Sequence, residues 1–173
     1  MGQVISYGLT QPDVEEVAAY CGGVLSQAEI SALYKRFRSL DRGRRGFLTM
    51  EVLLNIPELS INPLAHRMVR MFEGVNFKDF CRLLAPFSRR ASPEMKMGAI
   101  YSVFDMDGDG VVSRDDLDLM LRQLAGTTLT DEEIAQFVDM AFKEANGSLS
   151  KQLCHDVLSN QDLSMDVDFP VHF

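Results

Sequence analysis

Asp105-Met106-Asp107-Gly108-Asp109-Gly110-Val111-Val112-Ser113-Arg114-Asp115-Asp116 is the stretch that decides the fold of this chain. Carboxylates stand at its first, third and fifth positions, and Gly110 stands sixth, where the backbone must turn sharply. Val111 offers a backbone carbonyl at the seventh, Ser113 a hydroxyl at the ninth, and Asp116 a carboxylate at the twelfth. A hard cation needs oxygens arranged around it, and this spacing is that of an EF-hand loop. The flanks agree. Val103-Phe104 end one apolar helical run, and Leu117, Met120, Leu121 and Leu124 begin another. Val112, at the eighth position, suits the short strand through which two such loops pair.

The closing residue sets the chemistry expected of the site. Position twelve ordinarily holds a glutamate that ligates through both oxygens. Asp116 is one methylene shorter and is expected to ligate through one. The lower coordination number weakens calcium relative to magnesium, which leaves two occupancies open: magnesium at rest, or weakly held calcium. One site per chain is expected, made of Asp105, Asp107, Asp109, Val111, Ser113 and Asp116.

Composition limits the alternatives. At 173 residues the chain can bury one good core or two small ones, and no stretch approaches the length of a membrane span. Cys21, Cys81 and Cys154 are far apart and odd in number, so they read as reduced thiols of a cytoplasmic protein. Charge is divided unevenly. Residues 1–100 carry 13 Lys and Arg against 10 Asp and Glu, or +3; residues 101–173 carry 4 against 15, or −11. The acidic half disfavours nucleic acid and favours cations or a basic partner. The other half holds the basic cluster Lys35, Arg36, Arg38, Arg42, Arg44 and Arg45, read either as a solvated face or as a contact for anionic lipid.

Met1-Gly2-Gln3-Val4-Ile5-Ser6 fits the pattern for N-myristoylation of Gly2. Pro12, Asp13, Glu15 and Glu16 exclude a signal peptide. A single myristoyl chain holds a membrane only marginally, so a peripheral contact would need a second element.

EF-hands pair to bury their apolar faces, so one competent unit implies partners. Ser26 and Glu29 have capping-box spacing ahead of the stripe Ile30, Leu33, Tyr34, Phe37 and Leu40. Residues 41–52 then have loop form, with Asp41 first and Gly46 sixth, but Gly43, Arg45 and Val52 occupy ligand positions. A second unit starts at Asn62-Pro63 and continues through Leu64, Met68, Met71 and Phe72. It has no room for a full loop before the expected exit helix with Phe77, Phe80, Leu83, Leu84 and Phe87. In a fourth unit, Thr130 and Glu133 cap a helix whose apolar face is read as Ile134, Phe137, Val138 and Ala141. Its loop, 144–150, lacks acidic ligands. The fold class is therefore all-α: four helix–loop–helix units paired into two lobes by short strands. Residues 1–88 form the N-terminal lobe with two degenerate units, 92–160 the C-terminal lobe with one competent unit, and 161–173 a tail. Alternating apolar residues from Leu163 to Phe173, with Pro170, make that tail extended. It is expected to cover a binding groove or to pack beside a bound partner.

The segments Phe37-Arg38-Ser39-Leu40-Asp41, Ile56-Pro57-Glu58-Leu59-Ser60-Ile61-Asn62-Pro63-Leu64 and Val75-Asn76-Phe77-Lys78-Asp79-Phe80 resemble the calcineurin B-like EF-hand family. That group contains calcineurin B, the calcineurin B homologous proteins and the calcium- and integrin-binding proteins, and these segments are most similar to the homologous proteins. Ala91-Ser92-Pro93-Glu94 and the tail look more like the integrin-binding branch. The resemblance implies two lobes and a hydrophobic groove for an amphipathic helix. By that analogy the groove would draw on Met68, Met71, Phe72, Phe80, Leu84, Met95, Met120 and Leu124. It implies partners such as a phosphatase catalytic subunit, the juxtamembrane helix of an ion exchanger, an integrin-like tail or an assembly scaffold. The chain departs from the family in keeping ligands in its third loop alone.

No Gly-rich phosphate loop and no activated Ser or Cys arrangement is present, so catalysis is not expected. The leading expectation is a non-catalytic regulatory or scaffolding subunit with one calcium site. Two alternatives remain: a calcium sensor that switches groove exposure, and a constitutive component of a large assembly stapled by magnesium or calcium.

Overall fold

The computed structural model describes residues 4–5, 8–56 and 65–158, with backbone alone at 4, 5, 65, 66, 68, 154, 155, 157 and 158. The helices among these residues are α1 (Gln11–Tyr20), α2 (Gln27–Leu40), α3 (Met50–Leu54), α4 (Ala65–Phe72), α5 (Phe77–Leu84), α6 (Pro93–Phe104), α7 (Arg114–Ala125), α8 (Asp131–Glu144) and α9 (Lys151–Leu158). A two-stranded antiparallel sheet pairs β1 (Val4–Ile5) with β2 (Leu9–Thr10), Ile5 opposite Leu9. The described residues fall into two compact units. The first comprises residues up to 56 together with 69–92, and the second comprises 65–68 and 93–158. Gly2, the Asn62-Pro63 cap, Leu64 and the tail from Leu163 lie outside the described residues.

Several helices start where a side chain satisfies the orphan N–H groups of the first turn. Ser26, Ser113 and Thr130 form complete capping boxes with Glu29, Asp116 and Glu133. So does Thr10 with Asp13, with Pro12 in the first turn. Pro12 and Asp13 thus open a helix, α1.

In the first unit, Ile30, Leu33 and Phe37 of α2 are buried. Phe37 meets Phe77 and Phe80 edge-to-face at 5.6 and 5.5 Å between ring centres, and Phe72 meets Phe80 at 5.9 Å. Such pairs add about 0.5–1.5 kcal/mol each beyond the area they bury. The loops join through a bridge between Phe47 and Asn76, with Leu48 N–H donating to Val75 O at 3.1 Å and Gly74 N–H to Leu48 O at 2.8 Å. Phe87, expected in the exit helix, sits instead in a short 3-10 turn, Ala85–Phe87, because Pro86 cannot continue the helix. Ser88 is buried, and its Oγ donates to Val24 O at 2.8 Å. Cys21 and Cys81 are buried free thiols, and burial pushes both thiols up.

In the second unit, Leu117 of α7 packs with Ile134, Val138 and Phe142 of α8, and Phe104, Leu121 and Leu149 close the cluster. Val112 bridges Leu149, so the third and fourth loops pair at their eighth positions. The Tyr101 hydroxyl fastens that pair, accepting from Val112 N–H at 3.0 Å and donating to Leu149 O at 2.9 Å. The apolar face of α8 differs from its expected stripe. Phe137, expected on the core face, is 46 % exposed. The core stripe runs 134–138–142 at i, i+4 spacing, which turns position 137 to the flank.

Ser26→Ala should lower stability by about 1 kcal/mol, a loss of roughly 2–4 °C in Tm by thermal denaturation. Ile134→Ala, which empties a side chain only 2 % exposed, should cost about 2–5 kcal/mol. Burial raises the Glu29 carboxyl, but hydrogen bonds from Ser26 and the nearby Arg90 outweigh it and hold the group below its ordinary value. The cap's contribution is thus fully present above the unfolded carboxylate value. The Ser26→Ala deficit should shrink as pH falls through the lowered folded value.

Candidate metal centre

The loop between α6 and α7 is built around the carboxylate of Asp105. It is buried at the end of α6, and its two oxygens accept from Gly108 N–H at 2.8 Å and Gly110 N–H at 2.9 Å. Gly108 and Gly110 take φ of 80° and 91°, the left-handed turns that the tight loop needs. Asp107 accepts from Asp109 N–H at 3.1 Å, and Asp109 from Val111 N–H at 2.8 Å. These bonds aim the side chains, and one carboxylate oxygen from each of Asp105, Asp107 and Asp109 lies within 4.8 Å of the others. A carboxylate has about four lone-pair sites, so one accepted N–H per oxygen leaves capacity for a cation. A set of convergent hard oxygens fits calcium or magnesium, and the acid-only donor set does not favour softer metals.

Asp116 stands apart from that cluster. One of its oxygens accepts from Met106 N–H at 2.9 Å, and the other from Ser113 N–H at 2.8 Å and Ser113 Oγ at 2.6 Å. Burial raises its carboxyl, but the bonds from Ser113, Met106 and Asp107 outweigh that and hold it below the ordinary value. Asp116 thus stays ionised while it serves as the N3 residue of the α7 capping box. Ser113 Oγ is likewise engaged, accepting from Asp116 N–H at 3.1 Å.

Arg67 carries no signal in the sequence. Its guanidinium donates to Met106 O at 3.0 Å and Ser102 O at 2.6 Å, and also contacts Asp105 O. It satisfies the orphan carbonyls at the end of α6 and grips the first two loop residues. Its partner Met106 lies 39 residues on, so no local motif announces it.

The first loop keeps the frame of the third without its ligands. Asp41 is 5 % exposed, and its oxygens accept from Arg45 N–H and Gly46 N–H, each at 2.8 Å. Among the remaining groove candidates, Phe80 and Met120 are buried, and Met71, Phe72, Leu84 and Met95 are half-buried. Leu124 is 48 % exposed, and only the backbone of Met68 is described. The larger exposed apolar side chains of the second unit also include Leu119, Phe137 and Met140 on α7 and α8.

Paired helix–loop–helix units, one carrying convergent carboxylates, define an EF-hand protein. No family model matches the chain. It is 35 % identical over 164 residues to the calcineurin B subunit of Naegleria gruberi, covering 90 % of this chain and 92 % of that protein. It is 34 % identical to the type 2 calcineurin B subunit of Dictyostelium discoideum, covering 80 % and 77 % of the two chains. The type 2 calcineurin B subunit of Homo sapiens is 34 % identical, over 70 % of this chain and 77 % of that protein. The chain belongs to the calcineurin B-like EF-hand family, whose members are non-catalytic subunits.

Asp105→Ala should abolish divalent-cation binding measured by calorimetry, because it removes one of the three convergent carboxylates and the acceptor of the loop N–H groups. Asp116→Glu should raise calcium affinity and calcium-over-magnesium preference, since the longer side chain reaches the ion with both oxygens. Unchanged calcium affinity in Asp116→Glu would show that the closing residue does not limit the site.

Proposed function

We propose that this chain is a calcium-binding regulatory subunit that receives an amphipathic helix of a larger protein, with a phosphatase catalytic subunit as the first candidate. The convergence of Asp105, Asp107 and Asp109 within a chain of this family is the observation that carries the reading. One cation binds per chain, calcium or magnesium, in the 105–116 loop. The partner helix docks on the second unit, where Leu119, Leu124, Phe137 and Met140 leave apolar surface exposed on two helices that pack together. Helix-in-groove recognition uses such anchors, and methionine adapts to varied partners. The loop's own hydrogen bonds favour a metal that fastens the second unit over one that switches it. Asp105 and Asp116 already close the loop from within. A dye that reports exposed apolar surface should therefore change little on adding calcium; a large calcium-dependent rise would favour the sensor.

Phe137→Ser with Met140→Ser should weaken the affinity for a synthetic helix from a calcineurin catalytic subunit about tenfold. Surface substitutions of this kind leave Tm nearly unchanged. Full affinity in the double variant would exclude this face.

Gly2 carries myristate in this reading, supported by the Met1–Ser6 pattern. No described helix is long and apolar enough to cross a membrane, so attachment would be peripheral. Intact-mass measurement on protein from a eukaryotic host should show Met1 removed and one myristoyl group added; an unmodified Gly2 would refute it.

A further inference from the structure

The first loop keeps the backbone of a metal loop and reverses its charge. In the third loop the second to fifth positions are Met106, Asp107, Gly108 and Asp109; in the first they are Arg42, Gly43, Arg44 and Arg45. Beside it, between the loop and the end of α2, lies a cleft of about 770 Å3 whose lining includes Lys35, Arg36, Arg38, Arg42 and Arg44. The carboxylate in that lining, Asp41, is buried with each oxygen committed to a backbone N–H. It does little to balance the cations at the mouth.

Two independent observations separate this cleft from a solvated basic face. Arg82, Arg90, Arg114 and Arg122 each pair with a carboxylate. Among the described residues, Arg36, Arg38, Arg42 and Arg44 pair with no carboxylate; Arg45 and Arg70 also lack one, but only these four are gathered in one concavity, where like charges repel. Second, Arg44 holds φ of 52°, a left-handed conformation that L side chains adopt at a cost. The matching position of the third loop is Gly108, at φ 80°. A backbone that suits glycine is thus made to carry a guanidinium at the edge of the cleft.

We propose that this cleft binds a small ligand bearing several phosphate groups, of the inositol phosphate class, either free or as a phosphoinositide headgroup. Guanidinium forks match phosphate oxygens two at a time, and arginine rather than lysine dominates the lining. The volume lies in the ordinary range for a small-molecule site. An extended acidic protein segment is the rival occupant, but the arginines gather in the cleft at the end of α2, while the adjoining hollows toward Asn55 add few cations, which suits a compact ligand better than a strand.

Inositol trisphosphate titrated calorimetrically into the full chain should bind saturably, one per chain. Arg42→Gln with Arg44→Gly should weaken it about tenfold or more. Arg44→Gly alone should keep or raise Tm, since it relaxes the backbone while removing a cation, and should still weaken binding. Arg70→Gln, an equal charge change on α4, should leave affinity within about twofold. Calcium titration of the same variants should match the parent, which separates this site from the third loop. Co-sedimentation with phosphatidylcholine vesicles carrying phosphatidylinositol bisphosphate, against phosphatidylserine vesicles of equal charge, decides the source. Selective pelleting assigns the headgroup, and binding of the soluble probe alone assigns a free inositol phosphate. No saturable binding, an equal loss in Arg70→Gln, or polyglutamate peptide binding tighter than the trisphosphate would overturn the proposal.

Discussion

The turn of an EF-hand loop points backbone N–H groups inward, and those groups need acceptors whether or not a cation is present. A carboxylate at the first position meets that need in both long loops. Asp105 takes the N–H groups of Gly108 and Gly110, and Asp41 those of Arg45 and Gly46. Each of these hydrogen bonds contributes about 0.5–1.5 kcal/mol to holding the turn. This explains why the first loop opens with a buried aspartate although arginine, glycine and valine occupy its other ligand positions. In the third loop further carboxylates, Asp107 and Asp109, converge on this frame.

The rest of the architecture needs less than a full loop. Pairing requires one strand-like residue near the eighth position, so the short connections 73–76 and 145–150 suffice. Asn76 and Leu149 bridge the longer loops of their own units. The next requirement is a cap for the exit helix. Asn76, Ser113 and Ser150 each accept from an N–H of the following first turn. Thr49, the equivalent of Ser113, makes no such bond, and Val52 stands where Asp116 completes its capping box. The helix that follows, α3, is the shortest described.

Within this family frame the two long loops have become chemical opposites. One gathers oxygen anions at the entrance to α7, and the other gathers guanidiniums at the end of α2. The chain thus carries a carboxylate cluster, exposed apolar side chains on α7 and α8, and a basic cleft.

What the sequence determined by itself was local. The spacing of Asp105, Asp107 and Asp109, the capping boxes at Ser26 and Thr130, and the eighth-position residue Val112 are all legible; the Ser113–Asp116 box is equally local, but both residues read as metal ligands. Each depends on side chains reaching backbone only a few residues away. The helix pairs and the acidic cluster followed from these. Tertiary structure alone decided the rest. Phe137 turned outward because Ile134, Val138 and Phe142 took the face toward α7. Arg67 reached carbonyls 35 to 39 residues away, and a buried Asp41 left a cleft whose Arg36, Arg38, Arg42 and Arg44 pair with no carboxylate among the described residues. Those outcomes depend on which groups distant segments bring together, and the energy of such contacts is not encoded in any window of neighbouring residues.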